Sequence, residues 1–153
     1  MKNSLLLSLL LSLFLCSCQS PKETKVTHYL SEEMAPLGLP FSDAVIVDNM
    51  IYVSGQVGNV PGKLELVPGG IAAETRQTLD NIKAVLEANG SSLDHAVKLT
   101  VMMADIGEWG AMNEIYKTYF PGKKPARAAF GANGLALDAR LEIDCIAYIP
   151  SGE

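Results

Sequence analysis

The sequence predicts a single α+β domain, a mixed β-sheet with two helices on one face. Six short runs read as strands, and two stretches of helical period interrupt them in the order β-β-β-α-β-α-β-β. The chain has 153 residues, 48% of them hydrophobic and 19% charged, enough for one domain with a real core. That composition excludes a disordered, collagen-like or disulfide-built chain.

Residues 26–30 form a short first strand, followed by a loop with Pro36, Gly38 and Pro40. Ala44–Asp48 and Ile51–Gln56 are β-rich runs joined as a hairpin through Asn49-Met50. A loop rich in Gly and Pro covers Gly58–Gly70. The period then changes: Ile71, Thr75, Leu79, Ile82, Val85 and Leu86 recur at three and four, which makes an amphipathic helix that Gly90 stops. Ala96–Met103 alternates as a strand, with Val97, Leu99, Val101 and Met103 on one side. Asp105-Ile106-Gly107-Glu108 has capping-box spacing for a second helix. Its buried face is expected to be Trp109, Met112, Ile115, Tyr116 and Tyr119, and Pro121-Gly122 ends it. Ala126–Gly131 and Arg140–Ile149 are the last two strands.

The final strand is the most regular. Leu141, Ile143, Cys145, Ala147 and Ile149 point one way, toward the helices; Glu142, Asp144, Ile146 and Tyr148 point the other. Two acids mixed with Ile146 and Tyr148 suit a subunit interface better than plain solvent. A sheet covered on one side only leaves its other face for a homo-oligomer to cover.

The start of the chain reads differently. Met1-Lys2-Asn3-Ser4 precedes an apolar run from Leu5 to Leu15, and eight of the first fifteen residues are leucine. One Lys before a short apolar run reads as a secretory leader over residues 1–17, too short to span a bilayer. Leu15-Cys16-Ser17-Cys18 resembles the bacterial lipobox, which implies cleavage before Cys18, lipid on its sulfur and a polar tether over residues 18–26. The expected location is the cell envelope, lipid-anchored and facing the periplasm or the exterior; a misread leader would leave the protein cytoplasmic. An ordinary secreted protein cut near Ser17 or Ser20 is the plainer alternative. Removing residues 1–17, which hold one Lys and no acid, takes the formal charge from −5 to −6. The acidic balance supplies no basic face for nucleic acid.

Familiar chemistries are absent. His28 and His95 lie in no metal-ligand spacing, and Gly69-Gly70 lacks the Lys-Ser/Thr of a phosphate loop. Ser54-Gly55 lacks the glycine two places before the serine that a nucleophile elbow needs. Cys145 in an apolar strand reads as core. No metal or cofactor is expected. What remains is Arg127 and Glu142 on the two final strands. Arg127 sits among small and apolar residues, where a guanidinium is expensive without an anion. A structural ion pair with Glu142 or Asp144 would supply one, and so would a substrate carboxylate.

Five segments weigh on that choice: Asp48-Asn49-Met50-Ile51-Tyr52-Val53-Ser54-Gly55-Gln56, Thr75-Arg76-Gln77-Thr78-Leu79-Asp80-Asn81-Ile82, Met112-Asn113-Glu114-Ile115-Tyr116, Pro125-Ala126-Arg127 and Leu141-Glu142-Ile143-Asp144. Together, in this order, they resemble the Rid family, also called YjgF or L-PSP proteins, over a domain spanning roughly residues 27–150. The resemblance implies a trimer of chorismate-mutase-like subunits with clefts between them. It also implies hydrolysis of reactive 2-imino or enamine acids to 2-keto acids and ammonia. In that likeness Arg127 clamps the substrate carboxylate, bidentate and planar, and Glu142 orients and deprotonates the attacking water or shuttles the proton to the leaving nitrogen. Ser54, Gly55, Asn113 and Ala129 match cleft positions. The loop position often held by Tyr is Phe41, the position two after the arginine is Ala129 where some members have Cys, and Asp144 stands where Glu is common. A noncatalytic carboxylate-binding lipoprotein and a ribonuclease are the alternatives, the latter disfavoured by the acidic charge.

Overall fold

A computed structural model of the chain describes residues 23–151. The leader over residues 1–17, Cys18 and most of the tether lie outside the described residues. Six strands make one mixed sheet: β1 (Val26–Tyr29), β2 (Ala44–Val47), β3 (Met50–Gln56), β4 (Ala96–Met103), β5 (Ala126–Gly131) and β6 (Leu141–Tyr148). Their spatial order is β1-β2-β3-β6-β4-β5, so the last strand in sequence lies between β3 and β4. All neighbours are antiparallel except β4 and β5, which run parallel. The parallel pair requires a crossover, which the second helix provides. Helices α1 (Gly70–Ala88) and α2 (Trp109–Tyr119) pack on one face, as the element order predicts.

That face is the core. On β6, Leu141, Ile143, Cys145 and Ala147 are buried, while Glu142, Asp144 and Ile146 are half-buried on the open face and Tyr148 is exposed there. Helix α1 meets this floor with Ile71, Leu79, Ile82, Val85 and Leu86, the expected stripe. Each such fully buried aliphatic side chain contributes about 1.5–3 kcal/mol. Gly90 at φ 75° ends the helix in the left-handed region, with its N–H donated to the Glu87 carbonyl.

Local expectations are adjusted at three places. The hairpin turn is Asp48-Asn49 rather than Asn49-Met50, with Asp48 at φ 53°; Met50 already pairs with Val47. A register shift between Ala96 and Lys98 turns Val97 outward, so it is exposed while Leu99, Val101 and Met103 are buried. Residues 106–108 form a separate 3-10 turn capped by Asp105, whose carboxylate accepts from the Gly107 N–H at 2.8 Å. Glu108 does not complete a capping box; its carboxylate accepts from Arg140 instead, at 2.6 Å. On α2 only Met112 and Tyr116 are buried, and Trp109 is 44% exposed.

A charged cluster joins these parts. The Glu74 side chain on α1 is buried, and its Oε2 accepts from the Arg140 backbone N–H at 2.8 Å. The Arg140 guanidinium bridges Glu74 and Glu108, tying α1 to the entry of β6 and the start of α2. Gly58 lets its loop lie against α1: a Cβ there would fall 2.7 Å from the Glu74 Cα.

Candidate active site

Arg127 lies on the face of β5 that meets the helices. Its Nη1 donates to Asn113 Oδ1 at 2.7 Å, and its guanidinium carbon is 4.6 Å from the Tyr116 ring centroid and 5.7 Å from that of Trp109. Trp109, Asn113 and Tyr116 are spaced i, i+4, i+7, so one stripe of α2 supplies all three contacts. The ion pair with Glu142 or Asp144 does not form: the guanidinium rests on aromatic faces and an amide, attractive contacts that leave its charge unneutralised. Nε and Nη2 make no hydrogen bond to the described residues. The edge of the guanidinium that can hold a carboxylate is therefore available.

Tyr116 is the platform. Its ring packs on Phe120 at 4.8 Å, and its buried hydroxyl has no partner among the described residues. Burial pushes its pKa up to about 12, with Arg127 pulling the other way. The phenol thus stays neutral beneath the cation. The apolar periodicity of α2 marks Tyr116 and Trp109 only as core; their role as an arginine platform is legible from their spacing to Asn113.

Glu142 belongs to the opposite face. It projects from β6 on the open side, over the backbone of Gly55, where β3 is irregular between Val53 and Gln56. A Cβ on Gly55 would lie 1.9 Å from Glu142 Oε1, so only glycine admits the carboxylate in this position. Partial burial, then the charge of Asp144, raises the Glu142 pKa above its ordinary value. Asp144 is itself engaged, accepting from the Thr100 N–H at 3.1 Å.

Ser54 and Gly55 line a shallow depression on this open face with Lys98, Thr100 and Asp144. The Ser54 hydroxyl donates to the Ser42 carbonyl at 2.7 Å, and its N–H donates to the Asp43 carbonyl. Ser54 therefore pins the loop that carries Phe41, which is 48% exposed. Ala129 shares the helix-side face of β5 with Arg127. The singled-out residues thus fall into two half-sites, Arg127, Asn113 and Ala129 on one side of the sheet and Glu142, Gly55 and Ser54 on the other.

Cys145 is buried, and burial pushes its thiol up to about 12, which makes it a core residue and not a nucleophile. Among the described residues, no group of three His, Cys, Asp or Glu is placed to hold a metal ion.

Residues 32–149 match the model of the family described as Endoribonuclease L-PSP. The 2-iminobutanoate/2-iminopropanoate deaminase of Rattus norvegicus is 48% identical over 123 residues, which cover 80% of this chain and 90% of that protein. Among solved structures, yeast Mmf1 aligns with a TM-score of 0.76 at 34% identity, covering 82% of this chain and 100% of that one. TdcF of E. coli with bound serine aligns with a TM-score of 0.67 at 30% identity, covering 72% and 88%.

These relatives correct the expected location. The matched domain fills 90% of the rat deaminase, and what is left is too short for a leader and tether of this length. No helix among the described residues is long and apolar enough to cross a membrane. The expected cell-envelope placement has no counterpart in such relatives and is not retained; Cys18 lies outside the described residues. With the family model spanning most of the chain and relatives at 42% and 48% identity, the chain belongs to the Endoribonuclease L-PSP family, the Rid or YjgF group that its five motifs resemble.

Proposed function

We propose that this protein hydrolyses 2-imino acids to 2-keto acids and ammonia, in a homotrimer whose sites lie between subunits. The observation that carries this reading is Arg127, a half-buried arginine seated on Tyr116, tethered by Asn113, with a free edge and no carboxylate partner among the described residues. A planar carboxylate fits that edge bidentately. The deaminase name of the rat relative supports the reaction class, and the serine bound to TdcF supports an amino-acid-like ligand in this fold.

In this reading Arg127 holds the imine by its carboxylate and thereby fixes the C=N carbon. Glu142 accepts a proton from water as the oxygen adds to that carbon, forming a carbinolamine. The same carboxyl returns that proton to nitrogen, then takes the proton of the carbinolamine hydroxyl and passes it to nitrogen as the C–N bond breaks, so that ammonia leaves, the carbonyl forms and Glu142 is again a carboxylate. A raised Glu142 pKa suits both halves of this exchange, since a base nearer neutrality is also a better acid afterwards. Gly55 gives Glu142 its position, and Ser54 holds the adjoining loop.

One protomer cannot assemble this chemistry, because its arginine and its glutamate occupy opposite faces of the sheet. A cleft between protomers, with Arg127 from one and Glu142 from the next, brings them together. The open face, with Tyr52, Phe130 and Tyr148 exposed, is the surface such an assembly would cover. A second reading, a carboxylate-binding module without turnover, is favoured by Phe41, which puts no hydroxyl where a tyrosine would.

The experiment is ammonia and keto-acid release from imines generated in situ by an amino-acid oxidase. Turnover by the parent, lost in Arg127→Ala and strongly slowed in Glu142→Gln, is the expected result. Folded protein that binds 2-keto acids but accelerates nothing would favour the binding module.

A further inference from the structure

The strand face that carries Arg127 continues as Ala129 and Gly131, so side-chain volume falls away immediately beside the guanidinium. Ile106 stands over this gap, its Cβ 3.7 Å from where a Cβ on Gly131 would be. Trp109 stands on the other side, next to the guanidinium. Arg127, Ala129, Ile106 and Trp109 together line one depression of about 390 Å³. Ile106 is 52% exposed and Trp109 44% exposed, two large apolar side chains left in water beside a tethered cation. Arg127 is the only polar or charged side chain among the described residues that line it.

We infer that Ile106 and Trp109 are specificity-determining residues that receive the substrate side chain, and that the preferred substrates are 2-imino acids with bulky apolar side chains. The inference rests on the reading above, in which Arg127 holds the substrate carboxylate. In a 2-imino acid the side chain branches from the carbon next to the carboxylate. With the carboxylate on the free edge of Arg127, that branch lies within one side-chain length of the Ile106–Trp109 wall. Covering the wall removes apolar surface from water, and a larger side chain covers more of it. Charged or hydroxylated side chains would bring polar groups against the wall without a partner for them.

Trp109 is the one tryptophan of the sequence, so it reports directly on this depression. The 2-keto acids are unreactive product ligands and serve as probes. Pyruvate and 4-methyl-2-oxopentanoate are titrated against Trp109 fluorescence in the assembled full-length protein, and by calorimetry where Trp109 is replaced. The expected preference for the branched keto acid is about tenfold or more, the scale of a few methylenes in an apolar pocket. The ratio of kcat/KM for leucine-derived over alanine-derived imine is expected to fall by about the same factor in Trp109→Ala and Ile106→Ser. Trp109→Leu, which keeps an apolar wall, is expected to retain most of the preference and controls for misfolding. Equal affinity for both keto acids in the parent, or a uniform loss across imines in Trp109→Ala, would overturn the inference by reducing Trp109 to a support for Arg127. Failure of the carboxylate reading looks different: Arg127→Ala would then bind both keto acids as the parent does.

Discussion

Arg127 and Glu142 project from opposite faces of the same sheet, Arg127 onto the Tyr116 ring of α2 and Glu142 over the Gly55 backbone of β3. If each site takes the arginine of one protomer and the glutamate of the next, two inactive variants can repair one another. Arg127→Ala and Glu142→Gln, co-expressed in equal amounts, are expected to recover about a quarter of parental activity, since one interface in four pairs two intact residues. Activity measured on the mixture and on each pure variant checks this. No recovery from mixed trimers would place both groups in one protomer.

Gly55→Ala tests the seat of the carboxylate. The new methyl would fall 1.9 Å from Glu142 Oε1, and the flexible glutamate must swing away. Folding is expected to survive, because the displaced atoms are the far end of a side chain. Turnover is expected to fall about a hundredfold, the usual cost of a misplaced catalytic group. Thermal unfolding and kcat, measured together, separate the two effects.

Asn113→Ala removes the tether of Arg127 while leaving Tyr116 beneath it. A hydrogen bond to a charged group contributes about 1.5–3 kcal/mol, so kcat/KM is expected to drop roughly ten- to a hundredfold. The loss should appear mainly in KM, because in the proposed reaction the guanidinium binds substrate and does not itself transfer the proton. A loss confined to kcat would argue against the tether.

The pH profile should carry the signature of Glu142. In the proposed reaction the active form is the carboxylate, and burial with the Asp144 charge raises its pKa above the ordinary carboxylate value. Activity is therefore expected to be full at neutral pH and to fall as pH drops through that raised value, somewhat above the ordinary glutamate range. In Glu142→Gln the residual rate should lack this acid limb. A pH–rate series on both proteins decides it.

Stability and catalysis should separate at Glu74. Its buried carboxylate accepts the Arg140 backbone N–H, which has no other partner among the described residues. Glu74→Ala is expected to cost about 1–3 kcal/mol, read as a lower urea midpoint. Imine turnover at low temperature should persist, because Glu74 touches neither half-site.

Much of this architecture is legible in the sequence, for identifiable reasons. The clean alternation of Leu141, Ile143, Cys145 and Ala147 against Glu142, Asp144, Ile146 and Tyr148 places β6 and both of its faces. The apolar period of α1 fixes the buried stripe from Ile71 to Leu86. The face chosen by Arg127 is not legible, because Ala126–Gly131 is small or apolar on both sides and carries no alternation to orient it. Val97 counts as a core residue in the pattern until the bulge turns it out, and bulges leave no mark in hydropathy. Trp109 reads as core for a similar reason: periodicity registers that a side chain is apolar, not whether protein or ligand covers it.

The central place of β6 also governs how the molecule comes to exist. Strands β1–β3 on one side and β4–β5 on the other share no ladder except through it. The segment that joins them leaves the ribosome only after the other five described strands. Until then the nascent chain holds two sheet fragments with the edges of β3 and β4 bare, open to pairing with other chains. A message cut short before Leu141 would not yield a slightly smaller protein but two halves without a hinge pin, and quality control would meet them as unfolded chain.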